Sequence, residues 1–403
     1  MFKKNLVSFF EDFLNNKSLF INRNILLTSY TPGSIYHRDE EINKIASILA
    51  PALKQEKPSN LFIYGNTGTG KTLTVKHVTD NMGRVCKDKN IPLKILYINC
   101  RLKRVADTEY RLIAQLASFL GKSIPSTGLP TDEVYKIFYD SVEKEGGVVL
   151  LVLDEIDQLI KRAGDGVLYN ITRINEELKN SQISLVGISN DTTILEKIDV
   201  RIKSSLSEED VLFPPYNAVE IRNILKERAT RAFNADVIGQ GVIEKCAAYV
   251  AREHGDARRA IDLLRVAGEI ADRSNDKKIS TDHVDGAEEK LEREKIFDII
   301  RTQPKQFQVV LFSILSMKDK NLSKIYTGEI YDLYKKLCFR IGLRPLTQRR
   351  VSDIIGEFEL IGIINTRTIS KGRYGRTREI TLSVPVSVLP MTKKILEEEL
   401  VLG

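Results

Sequence analysis

The eight residues GNTGTGKT, Gly65 to Thr72, constrain this chain more than any other stretch. They fit G-x-x-x-x-G-K-[S/T] and lie between a short apolar run, NLFIYG, and a helical pattern that begins LTVKHV. Glycines in such a loop let backbone N–H groups turn inward around phosphate oxygens, and the helix N-terminus adds the positive end of its dipole. Asn66, Thr67, Gly68, Thr69, Gly70, Lys71, Thr72 and Leu73 are therefore expected to hold the phosphates of ATP or ADP. Lys71 is placed to reach the β- and γ-phosphates, and the Thr72 hydroxyl to ligate Mg²⁺. A strand feeding the loop and a helix leaving it predict an α/β fold.

The rest of the first half fits that fold. Near-continuous apolar runs at 93–100, 147–155 and 183–190 alternate with helical patterns, as in a parallel sheet covered on both faces. One run, GVVLLVLDE, ends in two carboxylates: Asp154 to hold Mg²⁺ and Glu155 to polarise an attacking water. Another ends in Asn190, which either orients that water or belongs to a turn. Arg201 in DVRIKSSL and Arg258 in GDARRAIDLL either stabilise charge on a transferring phosphoryl group or pair with acids at the surface.

Beyond Pro214-Pro215 the pattern turns wholly helical, and near the end three helices precede two strands joined by a tight turn, the order of a winged helix. Three domains are expected: an α/β P-loop domain with a parallel sheet between helices (1–213), an all-α lid (214–294) and a C-terminal winged helix (295–403). Charge follows the same division. The chain is +7 overall, yet residues 295–403 carry nineteen Lys and Arg against eleven Asp and Glu. A local basic excess suits phosphate-backbone binding, with a solvated surface as the alternative.

In RPLTQRRVSDIIGEFELIGII, Val351, Ile354, Ile355, Phe358 and Ile361 share one helical face. Thr347, Gln348, Arg349, Arg350 and Ser352 lie at the helix N-terminus, largely off that face. This division suits a recognition helix, since Arg pairs with guanine and Gln with adenine, but it also suits a charged outer face. In KGRYGRTR the turn gathers Lys371, Gly372, Arg373, Tyr374, Gly375 and Arg376, with Arg378 following. Such a projection fits a minor groove, with a solubilised edge hairpin as the rival. Tyr374 either wedges into the groove or caps the turn. Cys86, Cys100, Cys246 and Cys338 lack metal-ligand spacing and suggest reduced thiols. MFKKNLVSFFEDFLNN reads as an amphipathic helix rather than a signal peptide. No run approaches the ~18 apolar residues of a membrane span. A cytoplasmic, nucleoid-associated protein with no membrane partner is expected.

In order, GNTGTGKT, LDEIDQL, GISND, DVRIKSSL and GDARRAIDLL resemble the AAA+ ATPase series of Walker A, Walker B, sensor one, arginine finger and sensor two. With the lead-in YTPGSIYHRDEEI and the trailing winged helix, the chain is similar to the archaeal origin-recognition initiator family, related to the eukaryotic Orc and Cdc-six proteins. The resemblance implies that Tyr36, His37 and Arg38 line the adenine end of the pocket and that Tyr216 and Ile224 close it from the lid. Arg258 would be the sensor in cis, ahead of Arg259, and Arg201 the finger offered to another protomer's nucleotide. Thr127, Gly128 and Leu129 would sit in an initiator-specific insertion that touches DNA. The implied activity is that of an ATP-dependent initiator with weak, switch-like ATPase. It would bind double-stranded origin DNA and help recruit the replicative minichromosome-maintenance helicase, with other initiator paralogues as further partners. A helicase loader with little DNA selectivity, an ATP-responsive winged-helix transcription regulator and a true DNA motor are the rivals.

Overall fold

The computed structural model describes residues 17–102, 106–125, 127–206, 208–318, 325–370, 376–384 and 388–401. The chain forms two compact units, Met1–Val284 and Asp285–Gly403.

Unit one is built on a parallel sheet of β1 (Asn60–Gly65), β2 (Leu93–Asn99), β3 (Gly147–Asp154), β4 (Ser181–Ser189) and β5 (Glu208–Phe213), in the order β2-β3-β4-β1-β5. Around it run α1 (Asp39–Leu49), α2 (Lys71–Lys89), α3 (Glu109–Phe119), α4 (Thr131–Glu145), α5 (Ile156–Ala163), α6 (Gly166–Arg173), α7 (Ile194–Lys197) and α8 (Val200–Leu206). Side chains alternate across the pleat, so one face carries Leu61, Ile63, Leu150 and Val152 against Ile45 and Leu49 of α1 and Val75 and Val78 of α2. The other carries Phe62, Val149, Leu151 and Leu153 against Leu112, Phe138, Leu159 and Leu168 of α3 to α6. With both faces covered, β3 is apolar and buried from Val148 to Leu153, which is why it reads as a continuous run. Truncating Leu151 to alanine there would cost about 2–5 kcal/mol.

β5 is the strand that the apolar runs did not announce. Among the described residues it pairs only with β1, at the sheet edge, buries Val211 and Phe213, and leaves Leu212 53% exposed, so its sequence EEDVLF lacks the continuous apolar character of a central strand. The register sets the C-terminal ends of β1, β3 and β4 side by side, with Asp154 opposite Ile188 and Tyr64 opposite Ser189. Loops leaving those ends therefore converge on one edge, the usual site of ligand binding in open α/β sheets.

After Pro214-Pro215 come α9 (Ala218–Ala232), opened by a capping box of Asn217 and Glu220, then α10 (Val242–Glu253) and α11 (Ala257–Arg273). α12 (Thr281–Thr302) runs across the division between the units.

Unit two contains α13 (Lys305–Lys318), β6 (Ile325–Tyr326), α14 (Thr327–Arg340), α15 (Gln348–Leu360), β7 (Ile364–Ser370), β8 (Arg376–Leu382) and α16 (Leu389–Leu400). Its antiparallel sheet has the order β6-β8-β7. Three helices, a two-stranded wing and a short third strand make a winged helix, as expected. Val351, Ile354, Ile355 and Phe358 of α15 are buried in its core, whereas Ile361 has left the helix as its C-cap and is 41% exposed. Both wing strands are tied to α15. Glu359 accepts from the backbone N–H and hydroxyl of Thr366 at 2.8 Å each, and Arg378 donates to the Ser352 carbonyl at 3.4 Å.

Candidate functional site

The loop after β1 adopts a conformation that its glycines make accessible. Gly68 and Gly70 have φ of +71° and +95°, and Gly70 is the N-cap of α2. Lys71 donates to the carbonyls of Gly65 at 2.8 Å and Asn66 at 2.7 Å, which keeps its ammonium within the loop. Burial pushes its pKa down to about 8, with nearby Asp154 opposing the shift and Arg258 adding to it. The Thr72 hydroxyl donates to Asp154 Oδ2 at 3.0 Å and contacts Oδ1 at 3.2 Å.

Asp154, 3% exposed at the end of β3, also accepts from the Tyr97 hydroxyl and the Glu155 N–H. Burial and this bond to Asp154 raise the tyrosine's pKa. Glu155 has a left-handed backbone, φ +55°, a strained conformation for a non-glycine residue, and its carboxylate lies 4.0 Å from Arg101. The Asn190 N–H points to Asp157 Oδ1 at 3.4 Å.

A small cleft brings these groups together: Gly68 to Thr72, Asp154, Glu155, Asn190 and Arg258 line it jointly. Arg258 enters from α11. Asp256 caps that helix by accepting from the N–H groups of Arg258 and Arg259, and Ala257 N–H donates to the Gly68 carbonyl at 3.2 Å. Arg259 is drawn elsewhere, into an ion pair with Glu253. Arg201 sits at the start of α8, exposed, and is not among the residues lining this cleft or the cavity beside it.

That adjoining cavity, about 320 Å³, is lined by Leu73, Lys76 and Arg258, by Tyr216, Ile224 and Arg228 of the lid side, and by the segment from Leu27 to Tyr36. Of the residues expected at its far end, Tyr36, Tyr216 and Ile224 line it. His37 and Arg38 do not. His37 shares a hydrogen bond with Asn223 at 3.2 Å. Arg38, 2% exposed, braces the site from behind: Nε donates to Thr69 O at 2.9 Å, Nη2 to Pro214 O at 2.6 Å, and its guanidinium stacks 3.9 Å from the Tyr216 ring centre. Asn66 and Thr67 form the exposed crest of the loop.

Several contributors had no separate signal in the sequence. Tyr97 and Arg101 come from the β2 end, Arg228 from mid-α9, and residues 27–29 from a segment without a motif, just ahead of the lead-in that begins at Tyr30. For Asp256 a signal exists that could have found it, an N-cap residue type directly in front of a helical pattern.

In the insertion, Thr127 and Gly128 are exposed, while Leu129 packs against the core below α3 and α4. In unit two, Thr347 caps α15 through the Arg350 N–H, and Gln348 and Arg349 are exposed on its first turn. Arg350 lies 4.0 Å from Asp353 and 3.7 Å from Glu357, so its charge is partly answered along its own helix; Ser352 is half-buried. Lys371, Gly372, Arg373, Tyr374 and Gly375 lie outside the described residues, and Arg376 is described by its backbone as the first residue of β8.

Residues 54–195 match the AAA domain family, 222–289 the Cdc6 AAA+ ATPase-type lid domain, and 298–389 the CDC6 C-terminal winged helix domain. Over 398 residues the chain is 47% identical to ORC1-type DNA replication protein 1 of Methanosarcina mazei, covering 98% of this chain and 94% of that one. Over 379 residues it is 48% identical to the ORC1-type DNA replication protein of Pyrococcus furiosus, covering 93% and 90%. The solved structure of the Aeropyrum pernix ORC1 protein in complex with DNA matches with a TM-score of 0.80 at 42% identity, over 94% of this chain and 97% of that one.

Proposed function

The chain belongs to the ORC1-type DNA replication proteins, and from that premise we propose that it is an ATP-gated initiator that binds double-stranded origin DNA. The observation that carries the nucleotide part is the shared cleft, where Gly68 to Thr72, Asp154, Glu155, Asn190 and Arg258 meet although they span nearly two hundred positions. In this reading Lys71 and the loop amides bind the phosphates, Glu155 orients the attacking water with help from Asn190, and Arg258 answers charge on the γ-phosphate. Thr72 and Asp154 offer a set of hard oxygens that fits Mg²⁺, which when bound would neutralise phosphate charge. The cavity of about 320 Å³ takes the base and ribose, with Tyr36, Tyr216 and Ile224 on its wall. Hydrolysis is slow and acts as a switch. Arg201 serves a neighbouring protomer's nucleotide, in keeping with its position away from its own cleft.

DNA contact comes from Gln348, Arg349 and the first turn of α15, from the wing at Lys371 to Arg376, and from Thr127 and Gly128 of the insertion. Arg350, held by Asp353 and Glu357, contributes less to base reading than the sequence alone suggested. The replicative helicase and initiator paralogues are the proposed protein partners, in the cytoplasm at the nucleoid. No helix among the described residues is long and apolar enough to cross a membrane. Family membership favours this reading over a non-selective helicase loader or a transcription regulator.

The test is footprinting on duplex DNA carrying the source genome's origins, at moderate salt, comparing wild type with Arg373→Ala. Discrete protected sites are expected, with affinity falling steeply as salt rises and protection weakened in the variant. Protection without preference among DNA sequences would overturn origin recognition.

A further inference from the structure

Segment 18–36 is a strap. At its C-terminal end it runs into α1 of the sheet domain through Arg38, and at its N-terminal end it is fastened to the lid. The fastening has three stations. At the first, Asp272 near the end of α11 accepts from the Leu19 N–H at 2.9 Å and the Ser18 hydroxyl at 3.3 Å, and pairs with Arg23. At the second, Ile21 and Asn22 N–H groups share the Ala232 carbonyl, and Asn234 bonds the carbonyls of Ser18 and Leu19. Phe20 packs on Phe233 there with ring centres 4.6 Å apart, over Gly268, where a Cβ would come within 2.8 Å of the Phe20 ring. At the third, Arg228 donates to the Ile25 carbonyl at 3.2 Å and lies over the Tyr30 ring at 4.6 Å.

Between these stations and Arg38, residues 27–36 form one wall of the cavity beside the phosphate cleft. The wall therefore follows the lid at one end while joined to the core at the other. Of the three stations, Asp272 is the one that collects three strap contacts, from Ser18, Leu19 and Arg23, on a single carboxylate.

We propose that Asp272 is a positioning residue for nucleotide retention: by anchoring residues 18–23 to α11 it keeps the strap seated as the cavity wall, and its loss speeds nucleotide release. This rests on the nucleotide reading of the cavity given above. Among the described residues, the side-chain bonds of Asp272 go to Ser18, Leu19 and Arg23, none of which lines the cavity, so it acts through the strap.

The experiment is stopped-flow release of N-methylanthraniloyl-ADP from the full chain, chased with excess unlabelled ADP. Asp272→Ala is expected to raise the release rate about three- to tenfold, the loss expected for hydrogen bonds to one partly exposed charged acceptor. Asp272→Asn, which keeps one acceptor oxygen, should fall between the variant and wild type. Hydrogen exchange should rise at amides 18–25 while β3 and β4 stay protected, which a general loss of stability would not produce. Should Asp272→Ala fail to fold, Arg23→Ala removes the ion pair to Asp272 together with the Arg23 contacts to Ser18 and the Phe20 ring, and should move the rate in the same direction. Release within about twofold of wild type in these variants overturns the proposal while leaving the nucleotide site standing. A wild-type chain that binds no probe at all takes both readings with it.

Discussion

Replacing Gly68 by alanine tests whether the phosphate loop and the lid are built as one site. Gly68 has φ +71°, and a Cβ added there would fall 1.7 Å from Asp256 Oδ1 and 2.2 Å from its Cγ. That carboxylate cannot simply rotate away, because it caps α11 by accepting from the N–H groups of Arg258 at 2.8 Å and Arg259 at 3.3 Å. A left-handed alanine costs about 1 kcal/mol, and forfeiting the cap costs about 1 kcal/mol more. The free variant can relieve the clash by letting α11 retreat from the loop. The closed arrangement that brings Arg258 to the cleft then carries the lost cap, so about 1 kcal/mol reappears as lost nucleotide affinity, roughly fivefold, while the backbone strain falls on stability in either state. Equilibrium titration with N-methylanthraniloyl-ATP measures this, and thermal melting with and without nucleotide accounts for any part that falls on stability. Asp256→Ala alone should cost about 1 kcal/mol, and the double variant less than the sum, since the cap can be lost only once. An affinity within about threefold of wild type with an unchanged melting temperature, or strict additivity in the cycle, would refute the coupling.

Three further outcomes are expected. Glu155→Gln should reduce ATP turnover by about a hundredfold or more while nucleotide and DNA binding persist; loss of binding together with turnover would point to misfolding instead. Arg201→Ala should leave nucleotide affinity of the isolated chain within about twofold, because its side chain lines neither cavity, while lowering turnover where copies associate; equal turnover at all protein concentrations would count against the trans role. Ile354→Ala, at a fully buried position of α15, should destabilise unit two by about 2–5 kcal/mol and abolish DNA binding before nucleotide binding, as read by parallel titrations during thermal or urea unfolding.

Much of this architecture was legible in the linear order of residues, for reasons that differ by element. β1, β3 and β4 announced themselves because a central parallel strand buries both faces and so reads as an unbroken apolar run. β5 did not, because an edge strand can leave half its side chains in water, and EEDVLF does. On α15 the 3.6-residue period named four core positions correctly, but the helix ends at Leu360, so Ile361 falls outside the periodicity that had grouped it with them. Arg38 was assigned to the pocket from resemblance. Its position behind the loop, between the Thr69 and Pro214 carbonyls, depends on which way a buried guanidinium finds acceptors, and no spacing encodes that.

The phosphate loop, the paired carboxylates, the strand-and-helix alternation and the location of the basic excess are written in the linear chain. Each of these follows from contacts a few residues apart: a loop needs its glycines, a helix its period, a buried strand its apolar run. Packing in three dimensions sets which arginine of the Arg258-Arg259 pair faces the cleft, that Tyr97 reaches Asp154, and that residues 18–23 are tied to the lid through Asp272, some 250 positions away. Those facts arise from the packing of elements distant in the chain, where one side chain's position is set by the volume and polarity of neighbours that sequence order does not place beside it.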